Sequence, residues 1–215
     1  MKRLKELYIG TFNKGNRIVP CSLVLILLLS YGHLGFCQEF SRHSFKTGVG
    51  FGINEGQYEL GVGGVVLVGY QKSFWNDRLR ISPNIVSGNF MALGITDVRD
   101  QNYRVTSLNL IGYIDVIKYK AASILIGTGG SFNFSRGLLG TGGDWEVSHS
   151  DSEYFFRSYY SGYLGVGIRI NPRKSRFAYE ISPINVHFGN KYFFTEYFKF
   201  GIDIKFRSKE SETKN

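Results

Sequence analysis

The stretch 195–206, TEYFKFGIDIKF, alternates apolar and polar residues with a period of two from residue 198 onward. Because successive side chains of a β-strand point to opposite faces, the pattern predicts a strand with one apolar and one polar face. The same pattern recurs in seven further segments, and helical periodicity is almost absent. These other predicted strands cover residues 46–53, 57–70, 78–86, 103–117, 121–134, 154–170 and 176–188.

The connections between the predicted strands alternate in length. Short links cover residues 71–77, 118–120 and 171–175, and long loops cover residues 87–102 and 135–153. With eight strands, this alternation predicts an all-β, antiparallel barrel built as an up-and-down meander, with the short turns and both termini on one rim. A change in the phase of alternation after Pro183 predicts a β-bulge at that position.

The first 37 residues have the features of a signal peptide that is removed on export. Basic residues precede an apolar run from Leu23 to Leu29, and the small residues Gly35 and Cys37 occupy positions −3 and −1 of a cleavage site before Gln38. The run is shorter than the roughly 18 to 20 residues that a spanning helix needs. Because lipoprotein signals also place a cysteine after a short apolar segment, lipidation of Cys37 stays open. We then expect a lead over 38–45, a barrel over 46–206 and a charged tail over 207–215.

The charge balance of the predicted mature chain is mildly basic. The whole chain has 26 Lys and Arg against 17 Asp and Glu, and removal of 1–37 leaves 21 basic and 16 acidic residues. No run of like charge is long enough to indicate nucleic-acid binding, and an excess of this kind suits anionic lipid neighbours. Cleavage after Cys37 would also remove both cysteines, which excludes a disulfide scaffold and Cys-ligated zinc. No cofactor is expected.

The composition of the two faces decides whether the barrel stands in lipid or in water. A soluble, lipocalin-like barrel is apolar inside, whereas a membrane barrel is apolar outside. Here the polar face of the first, second, fifth and sixth predicted strands consists mostly of Gly and Ser, which suits a narrow lumen, and the opposite face is bulky and aromatic on nearly every strand. We therefore predict a transmembrane barrel whose polar face forms a filled, salt-bridged lumen. The charges predicted to lie in that lumen are Glu59, Arg80, Asp115, Arg169, Glu180, Lys199, Asp203 and Lys205.

The last strand carries a motif of known bacterial proteins. The stretch 199–206, KFGIDIKF, with Gly201, Ile204 and Phe206, resembles the terminal-strand signal that the outer-membrane barrel-assembly machinery reads. Together with the signal peptide and eight strands, it makes the chain similar to the small OmpA/OmpX-type outer-membrane β-barrels over about 44–206. The resemblance implies a porin-like protein of the Gram-negative outer membrane, with the assembly machinery, membrane lipid and lipopolysaccharide as partners.

One histidine is a weak candidate for catalysis. Some eight-stranded barrels are lipid A deacylases, and they resemble this chain in having a histidine on a late strand, as His187 is here. In those enzymes a nucleophilic serine follows two residues later and a nearby carboxylate orients the base. Gly189 takes the place of that serine, and Glu180 is the nearest carboxylate on the strand. A deacylase would therefore need Ser182 or a loop serine as the nucleophile.

The longest predicted loop is the best candidate for binding a partner. It contains acidic, aromatic and hydroxyl residues, among them Asp144, Trp145, Glu146 and His149. Their spacing matches no recognised cation-binding loop, so no metal site is predicted. Exposed loops on a rigid barrel suit binding or adhesion at the cell surface, with an extracellular or surface protein as the candidate partner. We expect a non-enzymatic structural or adhesive protein; the alternatives are a deacylase-like enzyme and a soluble lipocalin-like carrier.

Overall fold

Eight antiparallel strands close into a barrel in the computed structural model of the chain. Each strand pairs with its neighbours in sequence order, and β8 pairs with β1 to complete the circle. The structure describes residues 40–57, 59–93, 102–140, 152–172 and 174–207. The strands are β1 (Phe40–Glu55), β2 (Leu60–Phe74), β3 (Leu79–Ala92), β4 (Asn102–Tyr119), β5 (Ala122–Gly140), β6 (Ser152–Ile170), β7 (Phe177–Gly189) and β8 (Phe194–Arg207).

The barrel is apolar on the outside and polar on the inside. Outward-facing Val49 and Leu110 are 58% and 60% exposed, whereas the inward-facing Arg80 and Lys199 are almost completely buried. This arrangement confirms the predicted fold and is the reverse of a lipocalin-like barrel, whose lumen is an apolar cavity. In the described part of the chain, no helix is long and apolar enough to cross a membrane.

Most strands are longer than the sequence pattern predicts. β1 begins at Phe40, so residues 40–45, which we expected to form a lead, belong to the first strand. At the other rim β3 reaches Ala92 and β5 reaches Gly140, which shortens the two long connections to 93–101 and 141–151. The pattern failed there because the two faces lose their contrast near the rim: Phe90 points into the lumen, while polar Asn89 points outward.

The predicted bulge at Pro183 is present. The pairing of β7 with β8 shifts register between Ser182 and Val186, and the consecutive residues Pro183 and Ile184 are both exposed on the outer wall. Proline cannot donate to the ladder, and a bulge accommodates it. The Asn185 side chain supports the bulge from inside, because its amide donates to the carbonyl oxygens of Ser182 and Tyr197 at 2.9 Å each.

Small residues make room for large ones inside the narrow barrel. A Cβ atom added at Gly165 would lie 2.3 Å from the hydroxyl oxygen of Tyr163, and one added at Gly61 would lie 2.7 Å from that of Tyr103. Glycine on the inner face therefore lets each tyrosine ring lie across the lumen. The lumen is filled by side chains, as expected for eight strands.

Candidate functional site

The half of the lumen nearest the short turns contains seven charged side chains, which we call the ion cluster. Its members are Lys46, Arg80, Asp115, Arg169, Glu180, Lys199 and Asp203. The Glu180 carboxylate lies between two ammonium groups, 2.5 Å from Lys46 Nζ and 2.8 Å from Lys199 Nζ. The Ser182 hydroxyl donates to the same carboxylate at 3.1 Å. One buried acid thus bridges two lysines that come from strands β1 and β8.

Two arginine pairs complete the ion cluster. Arg80 Nη2 lies 2.7 Å from Asp115 Oδ1, and Arg169 Nε lies 3.3 Å from Asp203 Oδ2. The Gln71 amide also donates to Asp203 Oδ2, at 3.1 Å. The Asp203 contacts join β8 to β6 and to β2, strands that are distant in sequence. Removing one partner of such a buried ion pair would leave an uncompensated charge.

Tyr113 accommodates the positive excess of the ion cluster, which has four bases and three acids. Its ring centroid lies 4.3 Å from Lys46 Nζ, 5.6 Å from Lys199 Nζ and 6.0 Å from the Arg80 guanidinium carbon. The face of an aromatic ring attracts cations, and the attraction is strongest where water is excluded. The ring therefore stabilises the charge that no carboxylate of the ion cluster balances.

The predicted lumen charges occupy three levels of the barrel. Six belong to the ion cluster. Glu59 is buried near the opposite rim, where the Tyr159 hydroxyl donates to its carboxylate at 2.8 Å. Lys205 is half-buried at the short-turn rim and donates to the carbonyl oxygens of Pro172 and Ser175. Sequence reasoning omitted Lys46, although it shares the glycine-rich face of the first strand.

The turn between β2 and β3 covers the ion cluster at the short-turn rim. Its residues Trp75, Asn76 and Asp77 all have positive φ values, from 49° to 64°. The Asp77 carbonyl oxygen accepts a hydrogen bond from Arg80 Nη1 at 3.0 Å. Burial acts to raise the pKa of the Asp77 carboxyl, but the Arg169 guanidinium, the Ser73 hydroxyl and two nearby lysines together outweigh it, so the pKa lies below its usual value of 3.8.

His187 lies inside the barrel, among hydroxyl groups. Its Nδ1 is 3.0 Å from Ser131 Oγ, and its Nε2 is 3.3 Å from Tyr197 Oη. Ser131 Oγ is also 2.5 Å from Ser161 Oγ. The hydroxyl beside the histidine thus comes from β5, while Ser182 bonds to Glu180 instead. His187 is only 2% exposed and Ser131 only 9%, so both side chains are enclosed in the lumen.

Aromatic side chains fill the half of the lumen nearest the long loops. Phe90 stacks on Tyr103 with ring centroids 5.5 Å apart, and Tyr159 stacks on Phe193 at 4.8 Å. The Tyr103 hydroxyl donates to the carbonyl oxygen of Asn54 at 3.1 Å, which fixes the ring across the barrel. Together with the ion cluster below, this aromatic layer obstructs a continuous passage.

Two sets of predicted residues remain: the assembly signal, which lies on β8, and the loop residues proposed for binding, which lie outside the described residues. Gly201 is buried in the lumen, opposite Gly48 in the pairing of β1 with β8. Ile204 is half-buried, and Phe206 is exposed near the end of the strand. The candidate binding residues of the longest loop lie outside the described residues; they are Asp144, Trp145, Glu146 and His149.

Comparison with known proteins shows the fold. No protein-family model matches the sequence, and no curated protein is significantly similar to it. Neisserial surface protein A superimposes with a TM-score of 0.54 and 10% identity, covering 79% of this chain and 100% of its own. Ail, the attachment invasion locus protein of Yersinia pestis, superimposes with a TM-score of 0.52 and 14% identity, covering 78% of this chain and 100% of its own. The chain therefore has the fold of the small eight-stranded outer-membrane β-barrels, as its sequence predicts.

Proposed function

We propose that the chain is a non-enzymatic barrel of the Gram-negative outer membrane, which presents its two long loops at the cell surface for binding or adhesion. The observation that carries the proposal is the pairing of an apolar outer wall with a charged, side-chain-filled lumen. In water such a wall would expose a continuous apolar belt, far larger than the scattered apolar residues of soluble surfaces. In lipid the same belt is the required surface.

The filled lumen supports a role as a platform for the loops and not as a channel. The ion cluster obstructs the lumen at the level of Lys199 and Glu180, and the aromatic layer obstructs it again at the level of Phe90 and Tyr159. A solute would have to displace buried ion pairs to pass, which is costly. The connections at the long-loop rim are then the parts of the molecule available to a partner.

The proposal includes a route to the membrane. Residues 1–37 act as the signal for export and are removed, and the barrel-assembly machinery reads the last strand through Gly201, Ile204 and Phe206. Membrane lipid and lipopolysaccharide then surround the outer wall. In this orientation the short turns and both termini face the periplasm, and the long loops face outward.

A deacylase-like activity is not proposed. The serine and histidine that meet in this barrel, Ser131 and His187, are enclosed in the lumen. An ester-cleaving nucleophile must lie within reach of the reacting carbonyl carbon. We therefore expect the acyl-chain mass of lipid A to be the same in cells that express the wild-type chain and in cells that express His187→Ala. A difference between the two would reinstate the enzyme.

Membrane insertion is tested by gel mobility and by surface labelling. The outer-membrane fraction of expressing cells should contain a protein whose gel mobility changes on boiling in detergent. An epitope tag inserted within residues 141–151 should be labelled on intact cells. The same tag inserted after Asn76 is the matched control, and it should be labelled only after permeabilisation. A detergent-free soluble protein, or the opposite labelling pattern, contradicts the proposal.

Adhesion is tested by replacing the loop. Replacement of residues 141–151 with a short Gly-Ser linker should reduce the retention of expressing cells on serum-coated plates and leave the boiling-dependent mobility unchanged. The same replacement of residues 94–101 measures the contribution of the second long loop. Equal retention by cells expressing the wild-type chain and by cells expressing either replacement would show that these loops are not the binding surface.

A further inference from the structure

Two arginines project from the outer wall near the long-loop rim. Arg104 of β4 and Arg136 of β5 are direct partners in the strand pairing, and both are exposed. Their sequence neighbours Tyr103 and Ser135 are buried in the lumen, so strand alternation directs both guanidinium groups outward. Like charges placed opposite each other across strands destabilise a sheet unless something compensates them. No carboxylate among the described residues forms an ion pair with either arginine.

The arginine pair lies at the edge of the apolar belt. Arg136 is twelve residues from Ile124, the first large exposed apolar residue at the other end of β5. At about 3.4 Å per residue and a strand tilt of about 40°, that separation corresponds to roughly 30 Å along the barrel axis. The apolar band of such barrels is about 25 Å tall, and the hydrocarbon core of a bilayer is about 30 Å thick. The guanidinium groups therefore reach the level of the lipid headgroups.

The arginines line a cleft that combines charged and apolar surfaces. The cleft has a volume of about 560 Å³ and opens on the outer wall; its exposed lining residues are Asn89, Met91, Asn102, Arg104, Arg136 and Tyr154. Arg104 Nε donates to Asn89 Oδ1 at 2.9 Å, which orients the guanidinium. Met91 and Tyr154 are 64% and 62% exposed, although both side chains are largely apolar. An acyl chain would cover that apolar surface.

We propose that the cleft between Arg104 and Arg136 binds the phosphate group of a phosphorylated glycolipid of the outer leaflet, the chemical class of lipid A. Planar guanidinium groups form paired hydrogen bonds with phosphate oxygens, and two of them together match the charge of a phosphate monoester. The asparagine amides beside the arginines suit sugar hydroxyls. The inference rests on the proposed function, because that orientation brings the long-loop rim to the outer leaflet.

The test measures lipid binding to the barrel in neutral maltoside micelles by native mass spectrometry. Lipid A with both phosphates is the probe, and the variants are Arg104→Gln, Arg136→Gln and the double variant. Each single variant should bind about tenfold more weakly, and the double variant about a hundredfold, because each loses a charge-assisted contact with phosphate. Arg42→Gln is the matched control, since this exposed arginine lies on the opposite rim; it should bind as the wild-type chain does.

Two competitors distinguish the source of the phosphate. Fully dephosphorylated lipid A should bind the wild-type chain as weakly as phosphorylated lipid A binds the double variant. Inorganic phosphate should displace the glycolipid only at concentrations far above that of the lipid. Binding of phosphorylated lipid A to the double variant at the wild-type level would overturn the inference. So would displacement by inorganic phosphate at concentrations equal to that of the lipid.

The failure of this inference is distinguishable from failure of the proposed function. Each arginine variant is first checked for the boiling-dependent change in gel mobility, which reports an intact barrel. If that change is present and the variants bind lipid as the wild-type chain does, the inference is wrong and the membrane barrel stands. If the wild-type chain shows no such change and stays soluble without detergent, both fail.

Discussion

Replacing Glu180 by glutamine should be among the most destabilising single changes in this barrel. The carboxylate is buried and bridges Lys46 Nζ at 2.5 Å and Lys199 Nζ at 2.8 Å. Glutamine has nearly the same shape, so the substitution removes charge without opening a cavity. It leaves the ion cluster with four bases and two acids, which doubles its excess positive charge. Neither ammonium group has another carboxylate within ion-pair distance among the described residues.

The size of the effect follows from the two contacts. A hydrogen bond to a charged group contributes about 1.5–3 kcal/mol, and breaking a buried ion pair costs about 3–5 kcal/mol. Because the amide oxygen of glutamine still accepts one bond, we expect the free energy of unfolding to fall by about 3–5 kcal/mol. At a urea dependence of about 2 kcal/mol per molar, the unfolding midpoint moves down by about 2 M.

The assay is urea unfolding of the barrel in detergent micelles, followed by tryptophan fluorescence and by the mobility of unboiled samples. Glu196→Gln is the matched control, since Glu196 is exposed on the outer face of β8. Its free energy of unfolding should differ from that of the wild-type chain by less than about 0.5 kcal/mol. Adding Lys199→Met to Glu180→Gln restores the original excess charge and should recover part of the loss. A Glu180→Gln midpoint equal to that of Glu196→Gln would refute a buried ion cluster held together by Glu180.

Two further predictions concern the short-turn rim and the outer wall. The pKa of Asp77 is lowered in the folded state, so its contribution to stability is present above about pH 4 and is lost as the pH falls through the lowered value. Between pH 5 and pH 2.5 the urea midpoint of Asp77→Asn should therefore fall less than that of the wild-type chain. An equal fall in the two midpoints would contradict this. Leu110→Arg, at the middle of the exposed face of β4, should cost about 2–4 kcal/mol in lipid vesicles, whereas a cost near zero would show that this face does not contact the bilayer core.

The fold was predictable because the alternation of single strands contains most of the information about it. In β8 the inward Lys199, Gly201 and Asp203 alternate with the outward Phe198, Phe200 and Ile202, and the structure keeps that order. The choice between lipid and water was also predictable, because an eight-stranded lumen has no room for the bulky face. Strand ends were less predictable, since polar residues return to the outer face where the wall leaves the hydrocarbon.

The contacts of the candidate site depend on register between distant strands, which a single sequence does not reveal. Lys46 and Glu180 are 134 residues apart, and Ser131 and His187 are 56 residues apart. The alternation indicates that each of them faces the lumen but not at which level it lies. The bulge at Pro183 is a further difficulty, because it shifts every later residue of β7 relative to β8.

The buried ion cluster has a stronger rationale as a specifier of register than as a source of stability. Replacing a buried ion pair with well-packed apolar residues is often neutral or stabilising, so the pairs alone do not account for a charged lumen. A barrel with an apolar lumen, however, would have two apolar faces, and lipid would not distinguish between them. A one-residue slip of β8 would turn Lys199 toward the hydrocarbon, at a cost of about 2–4 kcal/mol near the bilayer midplane. Glu180 lies on β7 and Lys46 lies on β1. A slip of β1, β7 or β8 would therefore expose a charge to the lipid, and the charged side chains keep the apolar wall facing outward.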